Sequence, residues 1–160
     1  MSKYSNFIPS RGFASVGLVR PMDKGNVGAI MRAAYCFNVH MVAIQGDRIN
    51  LKGVKHKANV CKSWRHIPIV MGESLQYFVP VETISVAVDL VEGAEPLPTY
   101  KHPERAFYVF GPEDGTLEKP SLDWCDHRIM IPTRRSMNLA STVYVVLYDR
   151  MMKQYTAKQE

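Results

Sequence analysis

Apolar and polar positions alternate in blocks along the chain. Short runs rich in Val, Ile and aromatic residues occupy 14–19, 41–44, 67–71, 83–90, 106–110 and 128–131, the length and composition of buried β-strands. After the first run, Val27, Ile30, Met31, Ala34 and Phe37 follow the i, i+3, i+4, i+7 spacing of one helix face, with Gly25-Asn26 as the expected cap. A shorter helix is predicted over 73–78. Strands alternating with helices predict an α/β fold, a mainly parallel sheet flanked by helices. The stretches 91–104 and 111–121 read as loops. Both follow predicted strands, at the carboxyl edge where open parallel sheets place ligands. No repeat, low-complexity segment or linker divides the 160 residues, so one domain over 1–160 is expected.

The last predicted helix, about 138–154, departs from a one-sided pattern. Leu139, Val143, Val146, Leu147 and Arg150 mark one face, while Tyr144, Val145, Tyr148, Met151 and Met152 cover much of the rest. A helix apolar on most sides lies in a larger core or against a second subunit. With little chain left to wrap it, a homodimer is expected.

Charge changes this picture in one place. Residues 48–66 hold Arg48, Lys52, Lys55, Lys57, Lys62 and Arg65 and no acid, a local +6 in a chain whose net charge is +5. A solvated surface is the ordinary reading of such a run. A phosphate-binding stripe is the sharper one, favoured by a pI near 9.2 and by an interleaved Trp64 able to stack on a base. No apolar run approaches the roughly 20 residues that span a bilayer, and the N-terminus lacks an apolar signal core, so no membrane association and a cytoplasmic location are expected. Cys36, Cys61 and Cys125 are far apart and form no CxxC. The five His never fall at i, i+3 or i, i+4, and Cys125-x-His127 is the nearest approach to a ligand pair, so no metal is expected.

The familiar nucleotide and hydrolase signatures are absent: no GxxxxGK[ST], no GxGxxG, no GxSxG. Three polar-and-glycine clusters remain, each beside a strand end or helix start: GNVGAIMRAA (25–34), FGPEDGTL (110–117) and IPTRRSMNLAS (131–141). In this order they resemble the signature motifs of the SpoU/TrmH branch of the SPOUT methyltransferases. Asn26, Gly28, Arg32 and Ala34 match N-x-G-x-x-x-R-x-A; Phe110, Gly111, Glu113 and Leu117 match the second motif; Ile131, Pro132, Ser136, Met137, Asn138 and Leu139 match the third. The resemblance runs from about residue 16 to 148. It is nearest the minimal TrmL-like type, which methylates the wobble ribose of tRNA. Thr116 stands where the family carries a second glycine, with Gly115 one place early and able to supply a left-handed turn. Only Thr133, Arg134 and Arg135 separate Pro132 from Ser136, a shorter loop than the family's.

The resemblance implies a SPOUT-type domain with a C-terminal deep trefoil knot, S-adenosyl-L-methionine as methyl donor, and a homodimer acting on RNA ribose 2′-oxygens, with tRNA favoured. Ribosomal RNA as substrate, or an RNA-binding dimer of weakened catalysis, are the alternatives. By motif position Arg32 is the catalytic arginine, and Asn26, Glu113, Ser136 and Asn138 complete the catalytic set. Asn26 would hold the Arg32 loop, Glu113 would orient donors near the cofactor, and Ser136 and Asn138 would cap the last helix and touch cofactor or RNA. Val88, Asp89, Gly111, Ile131, Ser136 and Leu139 would bind the donor. Lys52, Lys55, Lys57, Lys62, Arg65, Arg134 and Arg135 would contact RNA. An Arg hardly ever loses its proton. Its expected work is therefore to clamp a phosphate and steady a developing oxyanion.

Overall fold

The computed structural model describes residues 12–51 and 63–157. Seven strands, β1 (Phe13–Val19), β2 (Met41–Gln45), β3 (Ile69–Gly72), β4 (Ile84–Val88), β5 (Glu95–Pro96), β6 (Arg105–Phe110) and β7 (His127–Met130), form one sheet in the order β3-β2-β1-β6-β4-β7-β5. Every pairing is parallel. Three α-helices accompany them among the described residues: α1 (Lys24–Cys36), α2 (Lys119–Asp123) and α3 (Leu139–Thr156). The α/β parallel architecture expected from the alternation is the one observed.

Alternation along β1 shows how the layers are made. Ala14, Val16 and Leu18 face one side, where Val27, Ile30, Met31 and Ala34 of α1 and Val143, Val146 and Leu147 of α3 complete a dry core. Val19 faces the other side with Ala43, Ala87, Phe107 and Val109, covered by a 3-10 turn at Leu75–Phe78 and by residues around α2. Such period-2 segregation is what a strand buried on both faces requires. Ser15, on the second face, is wholly buried, and its hydroxyl has no hydrogen-bond partner among the described residues.

Several boundaries differ from the sequence reading for local reasons. The cap of α1 lies two residues ahead of Gly25-Asn26. It is Asp23, whose carboxylate accepts from the Asn26 N–H at 2.8 Å, so Asn26 lies inside the first turn with its amide free for other partners. The helix ends with Asn38 in the left-handed region, and the Val39 N–H returns to the Ala34 carbonyl. The segment expected as a helix at 73–78 is the 3-10 turn, capped by Ser74. The 91–104 loop contains β5, too short and Pro-bearing to announce itself, and the end of the 111–121 loop already belongs to α2. Gly115 does not take the left-handed turn that the second motif suggested; among the described residues the positive-φ glycines are Gly12, Gly46 and Gly93.

Helix α3 is less lonely than its sequence implies. The sheet and α1 bury Leu139, Ala140, Val143, Val146 and Leu147. Arg150 is buried too, its guanidinium donating to the carbonyls of Pro103, Glu104 and Phe13 and to the Tyr108 hydroxyl. Beside it, His102 bridges the Tyr108 hydroxyl (2.6 Å) and the carboxylate of Asp149, the residue before Arg150 (2.8 Å). The exposed large apolar side chains of α3 are Val145, Tyr148, Met152 and, in part, Tyr155, spaced as a stripe.

Candidate active site

Because all strands run the same way and in near register, the loops after β1, β2, β4, β6 and β7 emerge along one edge. Three of them, with the start of α3, enclose a cavity of about 440 Å³. Val88 ends β4 and Asp89 and Leu90 follow it, Phe110 ends β6 and Gly111 to Thr116 follow it, and Ile131, Thr133, Ser136 and Met137 follow β7, while Leu139 and Thr142 of α3 close it. Every residue named from the resemblance as donor-binding, namely Val88, Asp89, Gly111, Ile131, Ser136 and Leu139, lines this one cavity.

The walls are held by hydrogen bonds that link all three motifs. Glu113, at the cavity, accepts from the Met22 N–H (3.0 Å), the Asp23 N–H (3.2 Å) and Asn26 Nδ2 (3.1 Å). Its carboxylate thus sits at the amino end of α1, where unpaired N–H groups favour an anion. Asn26 Oδ1 in turn accepts from Asn138 Nδ2 at 2.9 Å, and Asn138 Oδ1 caps α3 through the Ser141 N–H. The amides of Asn26 and Asn138 and both Glu113 oxygens are therefore engaged within the protein, as braces of the cavity. Asp89 also braces the cavity, accepting from the Leu117 N–H and, through its other oxygen, from the Leu90 N–H. A Cβ at Gly111 would stand 3.3 Å from both Asp89 Oδ2 and the Leu117 nitrogen, so glycine suits this crowded corner.

Ser136 differs from these braces. It is exposed, lines the cavity and makes no hydrogen bond among the described residues. The 133–135 loop is compact, with the Thr133 hydroxyl donating to the Arg135 carbonyl at 2.8 Å, and it leaves Arg134 and Arg135 exposed beside the cavity mouth. Arg32 lies outside the cavity lining, exposed on α1 without an ion pair among the described residues. Arg65 is exposed, its guanidinium 5.1 Å over the Trp64 ring. Lys52, Lys55, Lys57 and Lys62 lie outside the described residues.

One member of the basic run is already occupied. Arg48 makes a bidentate pair with Asp114, at 3.0 and 2.8 Å, so its guanidinium is engaged within the protein. The pairing holds the Asp114 carboxyl below its usual range. Nothing in the sequence signalled this partner, 66 positions away.

Comparison with known proteins agrees with the motifs. Residues 14–148 match the model of the SpoU rRNA methylase family. The chain belongs to that family. Among curated relatives, an uncharacterized tRNA/rRNA methyltransferase of Synechocystis is 25% identical over 152 residues, covering 90% of this chain and 56% of the relative. Among solved structures, the SpoU methyltransferase AviRb from Streptomyces viridochromogenes, in complex with AdoMet, superposes with a TM-score of 0.77 at 22% identity, over 96% of this chain and 63% of AviRb. A chain from a structural study of 2-OH methylation of C/U34 on tRNA gives 0.77 at 24% identity, over 91% of this SpoU-family chain and 98% of its own length. The chain thus spans little more than half the length of the curated relative and under two thirds of AviRb.

Proposed function

We propose that this SpoU-family chain is a homodimeric RNA ribose 2′-O-methyltransferase that takes S-adenosyl-L-methionine in the 440 Å³ cavity and acts on tRNA. The observation that carries the reading is the Glu113–Asn26–Asn138 chain, which gathers three motifs, distant in sequence, around one cavity. The cavity fits the donor: its volume is that of a small-molecule site, Val88, Leu90, Phe110, Ile131 and Leu139 offer apolar walls to a base, and Ser136 leaves a hydroxyl free. When bound, the donor supplies an electrophilic methyl on a sulfonium centre.

The chain's own residues do the rest by placement. The Glu113 and Asn138 braces keep the cavity walls at fixed separation, and positioning of reactants supplies much of such a rate. Arg32, charged and uncommitted among the described residues, clamps an RNA phosphate and steadies the oxyanion that develops on the 2′-oxygen. Its position outside the cavity lining is suited to an active site completed by a second subunit. The Val145, Tyr148, Met152 and Tyr155 stripe of α3 is the face assigned to that dimer. The tRNA preference is supported by the compact chain associated with C/U34 methylation, matched over nearly its full length. The same reading includes a C-terminal path threaded as a deep trefoil knot.

The test is methyl transfer from labelled S-adenosyl-L-methionine to purified tRNA and ribosomal RNA, followed by mapping of 2′-O-methyl sites. Label in tRNA riboses, abolished by Arg32→Ala with donor binding retained, is expected. Donor binding without transfer to any RNA would leave a binding module. Full turnover by Arg32→Ala would remove Arg32 from the mechanism.

A further inference from the structure

We infer that Arg48 is a positioning residue of the cavity, acting through Asp114 to clamp the loop after β6 onto the turn that opens α1. The inference deepens the donor-site reading above and rests on it.

The geometry is a double clamp. Glu113 and Asp114 are neighbours on the loop that forms one cavity wall. Glu113 binds the turn directly, through the Met22 and Asp23 N–H groups. Asp114 binds it through Arg48, whose Nη1 also donates to the Arg20 carbonyl at 3.3 Å and whose Nη2 lies 3.4 Å from Met22 Sδ. Two adjacent acidic residues therefore hold one turn from its two ends, residues 20 and 22–23.

The turn needs holding. Arg20 has φ of 47°, a left-handed conformation that an L side chain adopts at some cost. Its N–H is tied to the Gln45 carbonyl at 3.0 Å, and its carbonyl is the one Arg48 takes. Gly46 packs on the Arg20 side chain, where a Cβ would come within 3.2 Å of Arg20 Cγ. The loop after β2 is thus built around this turn, and Arg48 carries it on to Asp114. A guanidinium suits the task because its planar fork meets both carboxylate oxygens while keeping an N–H for the carbonyl; a Lys would offer one point contact.

The placement has a consequence for RNA. Arg48 is the first residue of the +6 segment, so the stretch proposed to meet phosphates is tied by its leading residue to the donor cavity wall. Both partners are partly exposed, and such a pair weakens as salt rises. The clamp should loosen with ionic strength.

The experiment uses Arg48→Gln, Asp114→Asn and the exchange Arg48→Asp/Asp114→Arg in the full-length protein. Amide hydrogen exchange without donor reads the clamp itself: Met22, Asp23 and Leu117 should lose protection by roughly fivefold in each single variant and regain much of it in the exchange. Calorimetry with S-adenosyl-L-methionine reads the consequence: affinity should fall by a similar factor. The wild-type loss of affinity at high salt should disappear in both single variants, while melting temperatures stay nearly constant. Unchanged amide protection in Arg48→Gln overturns the inference. So does a defect in Arg48→Gln that Asp114→Asn does not share, because Arg48 would then be a phosphate contact only. Wild-type protein that binds no donor, with the amide effects present, would instead sink the donor-site reading and leave the clamp standing.

Discussion

Asn138 Nδ2 donates a hydrogen bond to Asn26 Oδ1 at 2.9 Å, joining the first turn of α1 to the cap of α3 across 112 positions of sequence. The same Asn138 caps α3 through the Ser141 N–H, and the same Asn26 reaches Glu113. Asn138→Ala should therefore cost about 1 kcal/mol as a lost cap and also weaken donor binding. Because the two amides share a bond, Asn26→Ala and Asn138→Ala should be non-additive by at least about 0.5 kcal/mol in a double-mutant cycle. Additive losses in urea titrations would mean that the two residues act separately.

The proposed dimer face can be separated from the core by two variants of α3. Tyr148 is 56% exposed, whereas Val146 is wholly buried beneath the helix. Val146→Glu buries an unpaired charge and should unfold the protomer itself. Tyr148→Glu should leave the fold intact and shift the protein to monomer on sizing with light scattering. A folded, fully dimeric Tyr148→Glu protein would move the interface elsewhere.

His102 should make the protein acid-sensitive. Burial pushes its imidazole down to about 4, against a partial opposing pull from Asp149, while Arg150 and Lys153 reinforce the lowering. The unfolded chain takes up this proton near pH 6.5 and the folded chain only near 4, so the unfolded state binds more protons between those values. Stability is therefore lost as pH falls from about 6.5 to about 4, by up to about 3 kcal/mol from this residue, with no further loss below. Denaturant titrations across that window should show a shallower dependence in His102→Gln. An identical slope would assign the acid sensitivity to other groups.

Ser15→Ala should be neutral or stabilising, by up to about 1 kcal/mol. The wild-type hydroxyl is desolvated and has no partner among the described residues on a strand between β2 and β6, and alanine removes the unmet polar group without disturbing the ladder. A clear drop in melting temperature would show that the hydroxyl has a partner in solution.

Reversal of Lys52, Lys55 and Lys57 to Glu should weaken tRNA binding strongly and flatten its salt dependence, by about one unit of log–log slope for each phosphate no longer neutralised. Donor affinity should stay close to wild type. Unchanged RNA affinity in a filter-binding titration would make the segment an ordinary solvated surface.

What could be read without coordinates was whatever depends on near neighbours in the chain. The 14–19 run reads as a strand because alternate residues must suit two buried faces, and α1 reads as a helix because its apolar residues recur every three or four positions. The strand runs and two long helices needed only those rules to give a parallel α/β sheet. β5 escaped because two residues carry no period, and its identity as a strand comes from its partner β7. The surplus apolar side of α3 was legible as a stripe, but its inner half could be assigned to the protomer's own core only once α1 and the sheet were seen to cover it.

The site divides along the same line. Most of its residue types stood in two of the three local strings, where Gly111, Ile131, Ser136 and Leu139 occupy motif positions, whereas Val88 and Asp89 lie outside the strings and were named from the resemblance alone. The sequence also displayed Arg48 and Asp114, one as part of a basic run and the other as a loop acid, with nothing to join them. Their pairing, and the Glu113–Asn26–Asn138 chain, exist because parallel strands in near register deliver loops from distant parts of the chain to one sheet edge. Periodicity records which face of its own element a residue occupies. Which side chain of another loop it meets depends on strand order and register, and those are set by the packing of the whole sheet.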